Sequence, residues 1–399
     1  MRKVLPTPEQ IEWASCELGV IIHLDLTTFA RKEYNFRNHW GAPLCPALFN
    51  PSALDTDQWL ESAAQMGAKY AVLVAKHCTG FCLWPTEAHA YSVKSSPWKQ
   101  GEGDVVADFI ASCKKHDIKP GLYYSAACNH YLNADRGYVR SGDAQEQQRY
   151  NEVVLKQLEE LWTNYGKLFE IWFDGGCVPV EQGGPDIVTL LHTLQPDANV
   201  FQGPWRTRSL LRWVGNERAF APENCSSIFN FGNQRDDGSV ERADCGDTYG
   251  DVWCPAESDR PNREAPSLQG GWFWQEDEEK YIVPAEELFE MYLNSVGHNT
   301  NMLLGMAIDR DGLFPKPDAA VFTEFGERVK REFSNPLACA EIRDGDTEII
   351  LNVPEGARAR YLVLGEDISK GERVTGFTVY TDGQKRYSGS VIGHKRIIR

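Results

Sequence analysis

Short apolar runs alternate with amphipathic stretches along the first half of the chain. Residues 18–25 (LGVIIHLD), 69–77 (KYAVLVAKH), 119–125 (KPGLYYS) and 169–174 (FEIWFD) read as strands. Between them, apolar residues recur at helical spacing. A helix is expected from Asp55 as its cap to Gly67 as its stop, another begins at Asp104, and a long one runs over about 145–165. Four strand–helix alternations imply a parallel sheet with helices on its outer face. The pattern loosens afterwards. Residues 199–203, 212–217 (RWVGNE), 271–275 (GWFWQ) and 301–308 (NMLLGMAI) are the expected fifth to eighth strands. Helices are expected from Pro284 to Gly297 and over about 318–333, and the Gly-, Asp- and Asn-rich stretch 219–263 is expected to form loops. Beyond residue 335 the period changes to two, with strands expected at 347–353, 359–364, 375–381 and 391–398. The reading is an α/β chain: a (β/α)₈ TIM-like barrel over 1–335, then a small, sandwich-like all-β domain over 336–399 that could be truncated.

Such a barrel places its chemistry at the C-terminal ends of its strands. The groups standing there are His23 and Asp25, Lys76 and His77, Tyr123, Tyr124 and Ser125, Asp174, and Asn216 with Glu217. Alternation puts Glu170, Trp172 and Asp174 on one face and the apolar Phe169, Ile171 and Phe173 on the other. Asp174 is therefore expected to face the barrel mouth. By the same count Glu217 shares a face with Trp213, His23 with Ile21, and His77 with Ala75. Two carboxylates on different strands, beside histidines and tryptophans, suit glycoside hydrolysis.

Composition narrows the choice. The 399 residues carry 41 Lys+Arg against 57 Asp+Glu, a net charge of −16, which disfavours nucleic acid and anionic lipid as partners. No apolar run approaches the ~20 residues of a membrane span, and no signal-peptide core follows Met1, so a cytoplasmic home is expected, or a secreted or periplasmic one if a leader has been removed. Twelve tryptophans could supply platforms for sugar rings. The nine histidines are dispersed, without HExxH or an HxH on the first strand, so no metal is expected; no GxGxxG follows a strand, and no cofactor is expected. The eleven cysteines read as reduced thiols. Cys78 is set aside as a nucleophile partner of His77 because neighbours on a strand point opposite ways.

The stretches GVIIH (19–23), FNPSALDTDQW (49–59), GAKYAVLVAKHCTGFCLW (67–84), KPGLYYS (119–125) and LWTNYG leading into FEIWFDGG (161–176) resemble the retaining α-L-fucosidases of glycoside hydrolase family 29. RWVGNE, APEN (221–224), GWFW (271–274) and SVGHNTNMLL (295–304) look more like the subfamily acting on α-1,3- and α-1,4-linked fucose of branched, Lewis-type oligosaccharides. The resemblance implies Asp174 as nucleophile and Glu217 as acid/base, with Glu223 as second candidate. It also implies His23, His77 and Tyr124 as hydrogen-bonding partners of the fucose hydroxyls. Trp272 and Trp40 would pack on the sugar, and the substrate would be a fucosylated oligosaccharide. Many members carry a second His where this chain has Cys78. The alternatives are an inactive glycan-binding barrel and a barrel glycosidase for another sugar.

Overall fold

A computed structural model describes residues 4–31, 34, 40–230, 245–266, 271–343 and 345–399. Eight strands form its centre: Leu18–His23 (β1), Tyr70–Lys76 (β2), Lys119–Tyr124 (β3), Glu170–Phe173 (β4), Asn199–Phe201 (β5), Leu210–Trp213 (β6), Ala256–Arg260 (β7) and Asn301–Ala307 (β8). They close into a barrel in chain order, every neighbouring pair parallel. Helices Pro8–Cys16 (α1), Thr56–Met66 (α2), Val105–Lys115 (α3), Ala144–Asn164 (α4), Ile187–Leu194 (α5), Ala285–Asn294 (α6) and Lys316–Phe333 (α7) accompany them.

The expected helix signals operate. Asp55 accepts hydrogen bonds from the Asp57 and Gln58 amides at the start of α2, and Gly67 ends that helix in the left-handed conformation at φ 94°. Asp104 caps α3 through the Ala107 amide. α1, which the periodicity did not announce, carries a capping box between Thr7 and Gln10.

Two apolar layers follow from strand alternation. Outward residues such as Val20, Leu73, Leu122, Ile171 and Leu304 pack under the helices. Inward residues Ile21, Val72, Tyr123, Trp172, Phe201, Leu211 and Leu303 fill the barrel. Trp172 stacks between Phe201 at 4.0 Å and Tyr123 at 5.2 Å, centroid to centroid. At the N-terminal end, α1 presents Trp13, whose indole N–H donates to Glu170 at 3.1 Å.

Three expectations are corrected here. The seventh strand is Ala256–Arg260, inside the stretch read as loops, and not 271–275, which forms turns. The sequence AESDR lacks apolar alternation because its inward residues are Glu257 and Asp259. The segment 347–353 pairs with nothing and lies largely exposed. The C-terminal region instead forms two antiparallel pairs: Leu362–Leu364 (β9) with Arg396–Ile398 (β12), and Phe377–Thr381 (β10) with Gln384–Gly389 (β11). Among the described residues no helix is long and apolar enough to cross a membrane.

Candidate active site

Asp174 follows the last residue of β4 at the barrel mouth. Its Oδ2 accepts a hydrogen bond of 2.7 Å from the Tyr123 hydroxyl, one strand away on β3. Desolvation raises the carboxyl above its ordinary range, and the Tyr123 hydrogen bond works against that rise. Tyr123 in turn stacks on His77 with centroids 5.8 Å apart. His77 meets His23 at 6.2 Å, and His23 meets Trp272 at 4.9 Å. The Trp272 indole N–H donates to Glu217 Oε2 at 3.2 Å. An unbroken series of ring contacts thus runs around the mouth from one carboxylate to the other. Phe273 backs it, with centroids 5.2 Å from His23 and 4.9 Å from His77.

Both histidines are uncharged at neutral pH. Burial pulls the His23 imidazole down to about 3, opposed only weakly by a contact to the Ile21 carbonyl. Burial also takes His77 well below the usual range, and the neighbouring His23 adds to the effect. Neutral rings that both donate and accept are suited to hydroxyl groups.

His77 reaches the mouth through an irregularity. Ala75 faces the helices, and strict alternation would send His77 the same way. The register between β2 and β3 slips after Val74, so that Ala75 and Lys76 together oppose Tyr124. This bulge adds one residue and turns His77 inward. The argument against Cys78 also fails. The strand ends at Lys76, so alternation no longer applies, and the donor atoms of His77, Cys78 and Asp174 all lie within 4.8 Å of one another.

Tyr124 is corrected. It faces the helices, and its hydroxyl donates to Gln157 of α4 at 2.7 Å. Tyr123 occupies the place at the mouth. The strand KPGLYY is apolar on both faces, as buried parallel strands are, so its pattern does not say which tyrosine looks inward. Trp40 stands farther out on the loop after β1, edge-on to His130 at 4.2 Å, with the Arg140 guanidinium 4.8 Å from its ring. Glu223 is not at the mouth. The chain there runs toward the N-terminal end of the barrel, where the Ala221 carbonyl meets His298 Nδ1 at 2.7 Å and the Ala221 amide donates to Asn294. The Glu223 carboxylate lies 3.8 Å from Arg396 of β12. Asp25 serves as a brace, accepting hydrogen bonds from Thr27 at 2.9 Å and Thr79 at 2.7 Å.

Asp259 was not anticipated. It faces inward near the end of β7 and accepts 2.6 Å from the Trp213 indole N–H. Its backbone carbonyl holds the Ala219 amide at 3.0 Å, two residues beyond Glu217. Its strand was hidden by polarity, so no signal in the pattern could have found it.

A sequence profile described as α-L-fucosidase matches residues 4–332. The chain belongs to the α-L-fucosidase family. It is accordingly a glycoside hydrolase of family 29. It is 33% identical to α-L-fucosidase 1 of Arabidopsis thaliana over 441 aligned positions, covering 99% of this chain and 81% of the plant protein. Among solved structures it resembles a protein of Bacteroides thetaiotaomicron described as a candidate α-L-fucosidase, with TM-score 0.90, 33% identity and coverage of 99% and 92% of the two chains. A glycoside hydrolase 29 member from an unknown rumen bacterium matches at TM-score 0.79 and 29% identity, over 99% of this fucosidase-family chain and 72% of the other.

Proposed function

We propose that the protein is a retaining α-L-fucosidase that releases terminal α-1,3- or α-1,4-linked fucose from branched, Lewis-type oligosaccharides. The observation that carries the reading is the pair of carboxylates joined around one mouth, Asp174 through Tyr123 and Glu217 through Trp272. Asp174 attacks the anomeric carbon, while Glu217 gives a proton to the departing glycosidic oxygen. A covalent fucosyl–Asp174 ester forms and the aglycone leaves. Water, deprotonated by Glu217, then attacks the same carbon, and the ester bond breaks to release fucose with retained configuration. The Tyr123 hydroxyl holds Asp174 in position for the attack. His23 and His77, being neutral, bind sugar hydroxyls, and the Trp272 face packs against the apolar side of the ring. The expected separation of the two carboxyl groups for this mechanism is about 5 Å.

The experiment sets a Lewis-type trisaccharide beside an aryl fucoside and scores free fucose. Asp174→Ala is expected to abolish release from both. Glu217→Gly is expected to regain turnover of the aryl fucoside in azide, yielding the retained fucosyl azide. Rescue of Glu223→Gly instead, or an inverted product, would overturn the assignment. Release from the aryl fucoside alone would overturn the branched-glycan substrate. A cytoplasmic location is proposed separately, from the eleven unpaired cysteines, with a secreted or periplasmic one as the alternative; fractionating the source cell tests it.

A further inference from the structure

One corner of the mouth gathers donors that fucose hydrolysis does not require together. A ring nitrogen of His77, the sulfur of Cys78 and a carboxylate oxygen of Asp174 lie within 4.8 Å of one another. The Cys78 sulfur lies 3.8 Å from Ser125 Oγ, and the Cys128 thiol interacts with it, so a second sulfur borders the group. Cys128 is itself 3.5 Å from His130 Nε2. Imidazole, thiolate and carboxylate on one point are the donor set of zinc and its heavier congener cadmium. Tetrahedral coordination with bonds of about 2.0–2.3 Å spaces such donors roughly 3.3–3.7 Å apart. Closing by about an ångström, within side-chain rotation, brings the three to that spacing.

We propose that His77, Cys78 and Asp174 form an inhibitory site for a thiophilic divalent cation of the zinc class. Binding forms a metal–sulfur bond as the Cys78 thiol releases its proton to solvent. The His77 ring nitrogen and the Asp174 carboxylate each contribute a lone pair, and water leaves the cation. No electron is transferred. Because the cation takes Asp174 and His77, it competes with fucose; this competition rests on the reading of Asp174 as nucleophile. The enzyme would then be held inactive wherever free zinc is high and released by chelation.

The test uses reduced, full-length protein in which the exposed Cys45, Cys245 and Cys339 are replaced by serine. Titration with Cd²⁺ is expected to give an ultraviolet thiolate-to-cadmium band that saturates near one equivalent and is displaced by Zn²⁺. Saturating L-fucose should suppress it. Zn²⁺ is expected to raise KM for an aryl fucoside without changing kcat, reversibly on chelation. Cys78→Ser, or Cys78→Ala if the serine variant folds poorly, should keep its activity, lose the band and need at least tenfold more Zn²⁺ for half inhibition. Equal zinc sensitivity in that variant, or an unchanged band, would overturn the site. A band that Cys78→Ser removes but fucose does not suppress would uphold the cation site and overturn instead the placement of the sugar on Asp174.

Discussion

The Tyr123 hydroxyl donates to Asp174 at 2.7 Å, while its chain neighbour Tyr124 donates to Gln157 at the same distance on the other side of the sheet. Two chemically identical groups are thereby assigned to different tasks by the pleat alone. Hydrogen bonds to a charged group are worth about 1.5–3 kcal/mol, against about 1 kcal/mol for a neutral pair. Tyr123→Phe is therefore expected to lower kcat/KM by roughly 10- to 100-fold, since a nucleophile that loses its donor is less well held and less stable as a carboxylate. Tyr124→Phe should leave kcat/KM within about twofold and cost about 1 kcal/mol of stability. Steady-state kinetics and urea unfolding on both variants check this, and the reverse ranking in activity would show that Tyr123 does not act on the nucleophile. The resemblance implied Tyr124, and the strand pattern could not correct it because both of its faces are apolar. By contrast Asp174 was readable from the strand itself, since Phe169, Ile171 and Phe173 are apolar and the carboxylate has only one face left.

Strands differ in how much of themselves they show in the sequence. β8 was legible as NMLLGMA because both of its faces are apolar, whereas β7 was invisible because it brings two carboxylates into the barrel. Its first, Glu257, is held by the Tyr70 hydroxyl at 2.6 Å and the Trp172 indole N–H at 2.9 Å. Burial raises Glu257 from its ordinary 4.5 to about 7 and raises its neighbour Glu170 further. A raised carboxyl favours the protonated folded state, so its contribution is complete below about pH 4.5 and is lost as pH rises through about 7. The slope is up to about 1.4 kcal/mol per pH unit for each proton concerned. Glu257→Gln cannot ionise, so its stability relative to the parent should improve between about pH 5 and pH 7 and level off above that, whatever the offset at pH 5. Urea midpoints across that range decide it; a constant difference would mean that Glu257 does not titrate there. On β8, Gly305 has a plainer role. A Cβ there would stand 2.9 Å from both the Trp272 ring and the Pro261 Cα. The small residue thus makes the space in which Trp272 lies across the mouth. Gly305→Ala should cost about 1–3 kcal/mol and raise KM by displacing Trp272. A stability loss with unchanged KM would separate Trp272 from the sugar.

At the scale of the whole molecule, the C-terminal strands add little to the barrel's apolar core; they are fastened to it by polar contacts. Glu372, half-buried where they meet the barrel, accepts 2.6 Å from the Ser226 hydroxyl, 2.7 Å from the Ser227 amide and 3.0 Å from Asn299 Nδ2. Arg396 of β12 reaches the Glu223 carbonyl and the Tyr387 hydroxyl. A change of hydrophobic period reveals that such a region exists, but not which isolated Glu or Arg anchors it, because these contacts join residues far apart in the chain. Glu223 shows the consequence: in APEN it looks like site chemistry, while in space its loop belongs to the fastening. The fastening lies at the N-terminal end of the barrel, opposite Asp174, so stability and catalysis should respond separately. Glu372→Ala leaves two buried donors, the Ser226 hydroxyl and the Ser227 amide, without their acceptor, at about 1–3 kcal/mol for a group so stranded, while Asn299 keeps the Cys225 carbonyl at 2.9 Å. It should lower Tm, while kcat/KM measured well below the transition stays within about twofold. Glu372→Gln, which keeps one acceptor oxygen, should fall between the two. Loss of activity at temperatures where Glu372→Ala remains folded would mean that the C-terminal strands shape the mouth as well as brace the barrel.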